Sequence, residues 1–257
     1  MRRVLSLASA LLVLLCCAAR AEWRVVSAEP QAKGAGGVVH LKAEVENAAT
    51  NDRATLHFAL FDTKTATLRV IDDEGDAHAP LAATMTRENC VAGVNGGYFD
   101  PQNAPVGLLV EDGHVVVPKQ KARLLSGVVS VVNGRVQIQR AAEFSPKVKA
   151  TAARQCGPFL VERAKAVPGL NDTRGARRTF VVSNGGEQVA IGYSSSVTLA
   201  QLASILATPR VAADLKIQRA LNLDGGSSSG FWFKGENAPF SIREYKTVRD
   251  YLAVVAK

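Results

Sequence analysis

The sequence predicts an α+β fold, with a mixed β-sheet core, several hairpins and a few packed helices in a single domain. Three observations predict it. Apolar runs are split by Asp-Gly or Asn-Gly pairs, a strong short-range hairpin signal. One segment carries a helix-start pattern followed by an apolar stripe. Strands and helices do not alternate regularly, which argues against a parallel βαβ sheet.

Taken in order, residues 1–21 read as an export signal. Arg2 and Arg3 form a basic head, residues 4–19 an apolar run, and Ala19-Arg20-Ala21 a small-residue cleavage site. The run is too short, and too rich in Ala and Ser, for a membrane anchor. The expected location is periplasmic or secreted. Residues 22–257 follow as one domain without an internal repeat, a linker or a low-complexity block. Residues 22–54 are poorly patterned and read as an edge strand plus loops, and residues 84–89 as a helical turn. Hairpins are expected over residues 108–117, 128–138 and 180–191, turning at Asp112-Gly113, Asn133-Gly134 and Asn184-Gly185. Thr198 and Gln201 stand at capping-box spacing, Leu199, Leu202, Ile205 and Leu206 supply an apolar stripe, and Pro209 ends that helix. A weaker helical stretch over residues 212–219 leads into a short strand at Leu221.

Charge and cysteine content narrow the function classes. Loss of Arg2, Arg3 and Arg20 with the signal takes 31 basic residues to 28, against 23 acidic ones. That modest excess suits an anionic substrate or envelope polymer, and solubility alone explains it equally well. No basic run is interleaved with aromatics, so a dedicated nucleic-acid surface is not expected. Only Cys90 and Cys156 survive signal cleavage, and an oxidising compartment predicts a disulfide between them.

The most informative stretch is Leu221-Asn222-Leu223-Asp224-Gly225-Gly226-Ser227-Ser228-Ser229. Alternation in a strand sends Leu221 and Leu223 one way, Asn222 and Asp224 the other. Gly225 and Gly226 permit positive φ and close backbone approach, and the serines can cradle an anion. On the residues alone, Asp224 reads equally as a reactive carboxylate or as the cap of the turn. Asn222, Asp224 and backbone carbonyls are also hard oxygen ligands, so a divalent cation is an option although no cofactor is certain. A second copy of the device lies in Val91-Ala92-Gly93-Val94-Asn95-Gly96-Gly97-Tyr98-Phe99-Asp100.

These two segments together resemble the paired signatures of the phosphodiester glycosidase family. The resemblance extends to Pro105-Val106-Gly107-Leu108, Cys156-Gly157-Pro158-Phe159-Leu160, Arg177-Arg178-Thr179 and Thr198-Leu199-Ala200-Gln201-Leu202-Ala203, covering roughly residues 55–257. Ser227 stands where the family more often has a third glycine. The resemblance implies a hydrolase that cleaves the glycosidic bond of a sugar-1-phosphodiester in an envelope or extracellular glycan. Asp224 would then act at the anomeric carbon, as nucleophile or as base for water. Arg178 and Thr179, with Gly225, Gly226, Ser227 and Ser228, would hold the phosphate. Asn95 would orient the sugar, Gly96 and Gly97 would let the ligand reach the backbone, and Asn222 would line the same place.

Several residues keep two readings. Asp100 is a second carboxylate or a turn residue before Pro101. Tyr98, Phe99 and Trp232 are sugar platforms or core residues. Arg177 reads as solvated. Gly226-Ser227-Ser228-Ser229-Gly230 matches the esterase nucleophile elbow, but Phe231-Trp232-Phe233 looks extended where a helix is needed, and every histidine lies upstream. None of His40, His57, His78 and His114 has metal-ligand spacing. The alternative to an enzyme is a non-catalytic binder of an anionic envelope glycopolymer.

Overall fold

The computed structural model describes residues 23–74 and 79–257, so the expected export signal at residues 1–21 lies outside the described residues. In chain order the strands are β1 (Trp23–Lys33), β2 (Val39–Asn47), β3 (Arg53–Asp62), β4 (Ala66–Asp72), β5 (Ala92–Asn95), β6 (Leu109–Glu111), β7 (His114–Val117), β8 (Gly127–Val132) and β9 (Arg135–Arg140). They continue as β10 (Ala150–Cys156), β11 (Phe159–Glu162), β12 (Lys165–Ala166), β13 (Ala176–Ser183), β14 (Gln188–Val197), β15 (Arg219–Asn222), β16 (Phe231–Lys234), β17 (Pro239–Ile242) and β18 (Asp250–Ala256). The described α-helices are α1 (Leu81–Arg87) and α2 (Leu199–Leu206).

The architecture is mostly β, and an α+β fold with several packed helices overstates its helical part. The sheets are not mixed either. Every described strand pair is antiparallel. Pairs such as β3–β14 and β5–β18 join segments far apart in sequence, whereas short connections reverse the chain between consecutive strands such as β6–β7 and β8–β9. Asp112-Gly113 and Asn133-Gly134 do this between β6 and β7 and between β8 and β9, with φ of 46° and 83°, then 50° and 72°. Residues 23–54, the described part of the 22–54 segment, are more regular than their pattern suggests, because β1 and β2 pair along their length. Alternation is blurred there by register shifts at Val25/Ser27 and Pro30/Ala32. The α2 capping box forms as expected, with Gln201 N donating to Thr198 Oγ1 at 3.1 Å. Residues 212–219 form no helix: 212–214 are a turn, 215–218 are irregular and Arg219 already belongs to β15, and Arg210 and Ala213 adopt positive φ of 66° and 52°.

Three sheets enclose one central core. The eight-stranded sheet runs β1-β2-β3-β14-β13-β15-β11-β12, and the five-stranded sheets run β7-β6-β10-β8-β9 and β17-β16-β5-β18-β4. Phe61, Val181 and Ile191 from the first meet Leu109 and Val129 from the second and Val94, Phe231 and Leu252 from the third. The far face of the large sheet is closed by Leu202, Ile205 and Leu206 of α2. Helix α1 covers the outer face of the third sheet, where Leu81 and Met85 pack against Trp232 and Tyr251. Trp232 is therefore core and not a sugar platform. Cys90 belongs to that outer cluster and Cys156 to the central one. Both are free, which corrects the expected disulfide, and burial pushes their thiols up to about 11 and about 12.

A buried ion pair ties the sheets together. Arg154 of β10 and Asp250 of β18 are both 0 % exposed, and the guanidinium grips both carboxylate oxygens at 2.9 Å. Arg154 also donates to Val106 O at 2.9 Å and Tyr98 O at 2.8 Å, and Asp250 accepts from Gly97 N at 3.0 Å. This pair explains the first Gly-Gly motif. A Cβ on Gly96 would lie 1.7 Å from Asp250 Oδ1, and one on Gly97 would lie 2.4 Å from Arg154 Cζ. These glycines admit the ion pair, not a ligand. Breaking such a pair from one side strands a buried charge, so Asp250→Ala should cost about 3–5 kcal/mol in chemical denaturation. A loss no larger than the ~1 kcal/mol of a surface pair would refute this role.

Candidate active site

Strand β15 ends at Asn222, and the chain turns through Asp224, Gly225 and Gly226 at the rim of the core. Gly226 has φ of 70° with open space where a Cβ would project, so the turn itself requires glycine there. Gly225 has an ordinary φ, but its Cβ would come within 3.2 Å of Arg178 Nη1. The second motif thus differs from the first: its glycines shape a cleft.

The backbone of Asp224 is clamped from three sides. Its N–H donates to Gly96 O at 3.0 Å, and its carbonyl accepts from Asn95 Nδ2 at 2.8 Å. Thr179 Oγ1 lies 2.8 Å from that carbonyl and 2.9 Å from Asn95 Oδ1. Asn95 Oδ1 also accepts from Gly230 N at 3.3 Å. Asn95 and Thr179 are therefore buried braces under Asp224, with their polar atoms engaged within the protein. They hold the aspartate rather than open onto the cleft.

The Asp224 carboxylate accepts from Gly225 N at 2.9 Å and from the Ser228 hydroxyl. Burial raises its pKa above the ordinary carboxylate value, and these two hydrogen bonds only partly oppose that. A cleft of about 240 Å³ lies over it, bounded by Tyr98, Arg174, Arg178, Leu199 and Asn222. Asp224 is the one carboxylate among the described residues that line it. Arg178 donates from Nε to Val197 O at 3.2 Å and from Nη2 to Arg174 O at 2.9 Å. Those bonds leave Nη1 beside Gly225. Burial lowers the Arg178 pKa, yet a guanidinium so high on the scale stays charged at neutral pH.

Asn222 adds an unmet demand. Its Nδ2 donates to Gly157 O at 2.9 Å and to Leu223 O, whereas Oδ1 is buried without a partner. A buried amide oxygen without a partner is a cost that a hydrogen-bond donor would relieve. Tyr98 donates its hydroxyl to Gly157 O and presents its ring to the cleft. The structure thus brings together Asp224, Arg178, Asn222, Gly225, Gly226 and Ser228.

Other predicted residues stand apart. Asp100 caps its own turn, accepting from Gln102 N at 2.9 Å and Ala104 N at 2.8 Å. Ser227 is exposed, and its carbonyl receives Tyr245 N at 2.7 Å and Lys246 N at 3.1 Å. Arg177 is not solvated: it donates to Ser229 O and Arg243 O and stacks 4.0 Å over the Tyr245 ring. After Ser228 the chain enters β16 instead of a helix, as the argument against a nucleophile elbow requires. Among the described residues no group of three or more His, Cys, Asp and Glu converges on a cation site. No described helix is long and apolar enough to cross a membrane.

Arg154, Asp250 and Arg174 are not among the residues the motifs single out. Arg154 carried a readable signal, as the single charge within β10, whereas Asp250 opens β18 beside Arg249 and did not stand out. Arg174 sits in an exposed loop with nothing to mark it.

Residues 88–255 match the phosphodiester glycosidase family. The chain is 26% identical over 184 residues to the uncharacterized protein YigE of Escherichia coli, covering 68% of this chain and 70% of that one. Its fold is similar to the zebrafish N-acetylglucosamine-1-phosphodiester alpha-N-acetylglucosaminidase catalytic domain auto-inhibited by its pro-peptide. The TM-score is 0.64 at 15% identity, over 90% of this chain and 89% of that one. A protein of Synechocystis is similar at a TM-score of 0.61 and 14% identity, over 91% and 68% of the two chains. On its sequence match, which spans more than half its length, the chain belongs to the phosphodiester glycosidase family.

Proposed function

We propose that this protein hydrolyses the glycosidic bond of a sugar-1-phosphodiester in a cell-envelope or extracellular glycan, with Asp224 acting at the anomeric carbon. The observation that carries this reading is the pairing of a desolvated carboxylate with Arg178 and Arg174 in one small cleft. In the reaction the C1–oxygen bond breaks, that oxygen leaves with the phosphate, and water supplies the new oxygen on the sugar. The transition state carries positive charge at the sugar, which Asp224 stabilises or attacks. A phosphate monoester is an acidic leaving group, so it departs without full protonation. Arginines that hold its charge do the work that a second carboxylic acid does in most glycosidases. Asn222 Oδ1, lacking a protein donor, would accept from a sugar hydroxyl.

The lone carboxylate also favours a second reading, a non-catalytic binder of an anionic envelope glycopolymer. Turnover separates the two. Wild-type protein should release free sugar from an N-acetylglucosamine-1-phosphodiester, and Asp224→Asn should lower kcat on the order of 10³-fold. In isotope-labelled water the label should enter the sugar; label in phosphate would mean phosphorus–oxygen cleavage.

The pH profile follows from the raised Asp224 pKa. As nucleophile or base the group must be ionised, so kcat/KM should fall on the acid side with a midpoint above the ordinary ~3.9 of aspartate. Stability runs the other way. A carboxyl whose folded pKa is raised binds more protons folded than unfolded, so stability drops as pH rises through that window. At neutral pH Asp224→Asn should therefore melt at or above the wild-type temperature while losing turnover. A large fall in melting temperature would make Asp224 a structural cap.

Arg178→Ala removes a charged donor to phosphate and should lower kcat/KM roughly 10–100-fold. The loss should shrink for a substrate without phosphate, and an equal loss on both would place Arg178 outside the phosphate subsite.

A further inference from the structure

The large sheet carries a polar row that runs away from the Asp224 cleft. Register places Thr179 opposite Tyr193, Tyr193 opposite His57, and His57 opposite Lys42. Directly opposed residues share a face, so this row crosses four adjacent strands in a straight line. It begins beneath Asp224 at Thr179 and ends about 14 Å away, at three strand spacings. His40, two residues before Lys42 on the same face, joins it diagonally: its Nε2 lies 2.9 Å from His57 Nδ1.

At the far end of the row is a cleft of about 780 Å³ between β2 and β3 and the β16–β17 hairpin, larger than the one over Asp224. Its floor is the histidine pair, and both rings are held neutral by burial, with pKa pushed down to about 4. Each ring spends one nitrogen on the other, which leaves His40 Nδ1 and His57 Nε2 without a hydrogen-bond partner among the described residues. Phe240 forms one wall. Its ring is stacked 4.9 Å from His57 and also packs against His40 and Phe231, yet it is 37 % exposed. The amides of Gln31 and Asn237 stand on the rim, and the charges there balance, with Lys33 and Lys42 against Glu236 and with Lys42 already paired to Glu44 at 2.8 Å.

We infer that this cleft is a second, separate binding site for an uncharged saccharide unit. Neutral imidazoles with open nitrogens and side-chain amides donate to and accept from hydroxyls, and an exposed aromatic face takes the apolar face of a sugar ring. The balanced charges offer no gain to an anion. The volume suits a mono- or disaccharide. The two clefts share no lining residue. This site does not depend on chemistry at Asp224, so absence of turnover there would leave it standing.

The test is titration of isotope-labelled protein at pH 7 with N,N′-diacetylchitobiose, cellobiose and maltose, following histidine ring signals and heat of binding. At least one disaccharide should give saturable shifts of the buried histidine pair. Phe240→Ala should weaken that binding about tenfold. Asn237→Ala, on the exposed rim, should weaken it too, while Arg178→Ala in the other cleft should leave it unchanged. Three outcomes overturn the inference: no saturable shift with any disaccharide, tighter binding of glucose-1-phosphate than of all three, or sensitivity to Arg178→Ala with indifference to Phe240→Ala.

Discussion

The Arg154–Asp250 ion pair sits where strands of the two five-stranded sheets come together, and the loop after β5 wraps over it. Two charges with no exposed surface are expensive to bury, and they persist only because every partner is in place. Arg154 spends its remaining donors on Val106 and Tyr98 carbonyls, and Asp250 Oδ1 takes Gly97 N as well. The loop carrying Tyr98 is thereby fixed to both sheets. Asp250 then acts again through its backbone, its carbonyl accepting Gly96 N at 2.7 Å. Since Gly96 O in turn receives Asp224 N, one short chain of bonds runs from the buried pair to the candidate catalytic carboxylate.

That chain explains how a desolvated aspartate can be held in place. Side-chain partners of Asp224 are few, Gly225 N and the Ser228 hydroxyl. Its main chain is fixed on one side by Gly96 and on the other by Asn95 and Thr179. Rigidity comes from backbone contacts, so the carboxylate need not be neutralised by a close ion pair in order to stay put. It keeps a raised pKa and remains open to the cleft, the condition a reactive group needs.

Much of this was legible in the residues. The three hairpins turn where their Asp-Gly and Asn-Gly dipeptides stand, and the Thr198–Gln201 box starts its helix. Asp224 and Arg178 line one cleft. The rest was hidden for physical reasons. A Gly-Gly pair reports that something comes close to the backbone without saying what, and at Gly96-Gly97 it is a side chain of the same protein. Asn95 looks like a ligand contact because it is polar at the end of an apolar strand, yet a buried brace demands the same residue. Cys90 and Cys156 are close to the motifs in sequence but lie in different clusters, which composition cannot reveal. The strength of β1 and β2 was masked by register shifts that break their alternation.

The two Gly-Gly motifs then divide one task. The first removes side chains so that Arg154 and Asp250 can close against the backbone; the second removes them so that a turn can form beside Arg178. Adding a Cβ at Gly96 would collide with a carboxylate that has nowhere to move, whereas at Gly226 space is free and only the positive φ forbids it. Ser227 stands next to Gly226 at an exposed position where its carbonyl, not its side chain, is used by Tyr245 and Lys246. A serine there in place of glycine therefore adds a solvent-exposed hydroxyl without altering the turn that positions Asp224. The tolerance of that position and the intolerance of Gly96 have one cause: the fold is rigid where the buried charges lie and open where the cleft meets solvent.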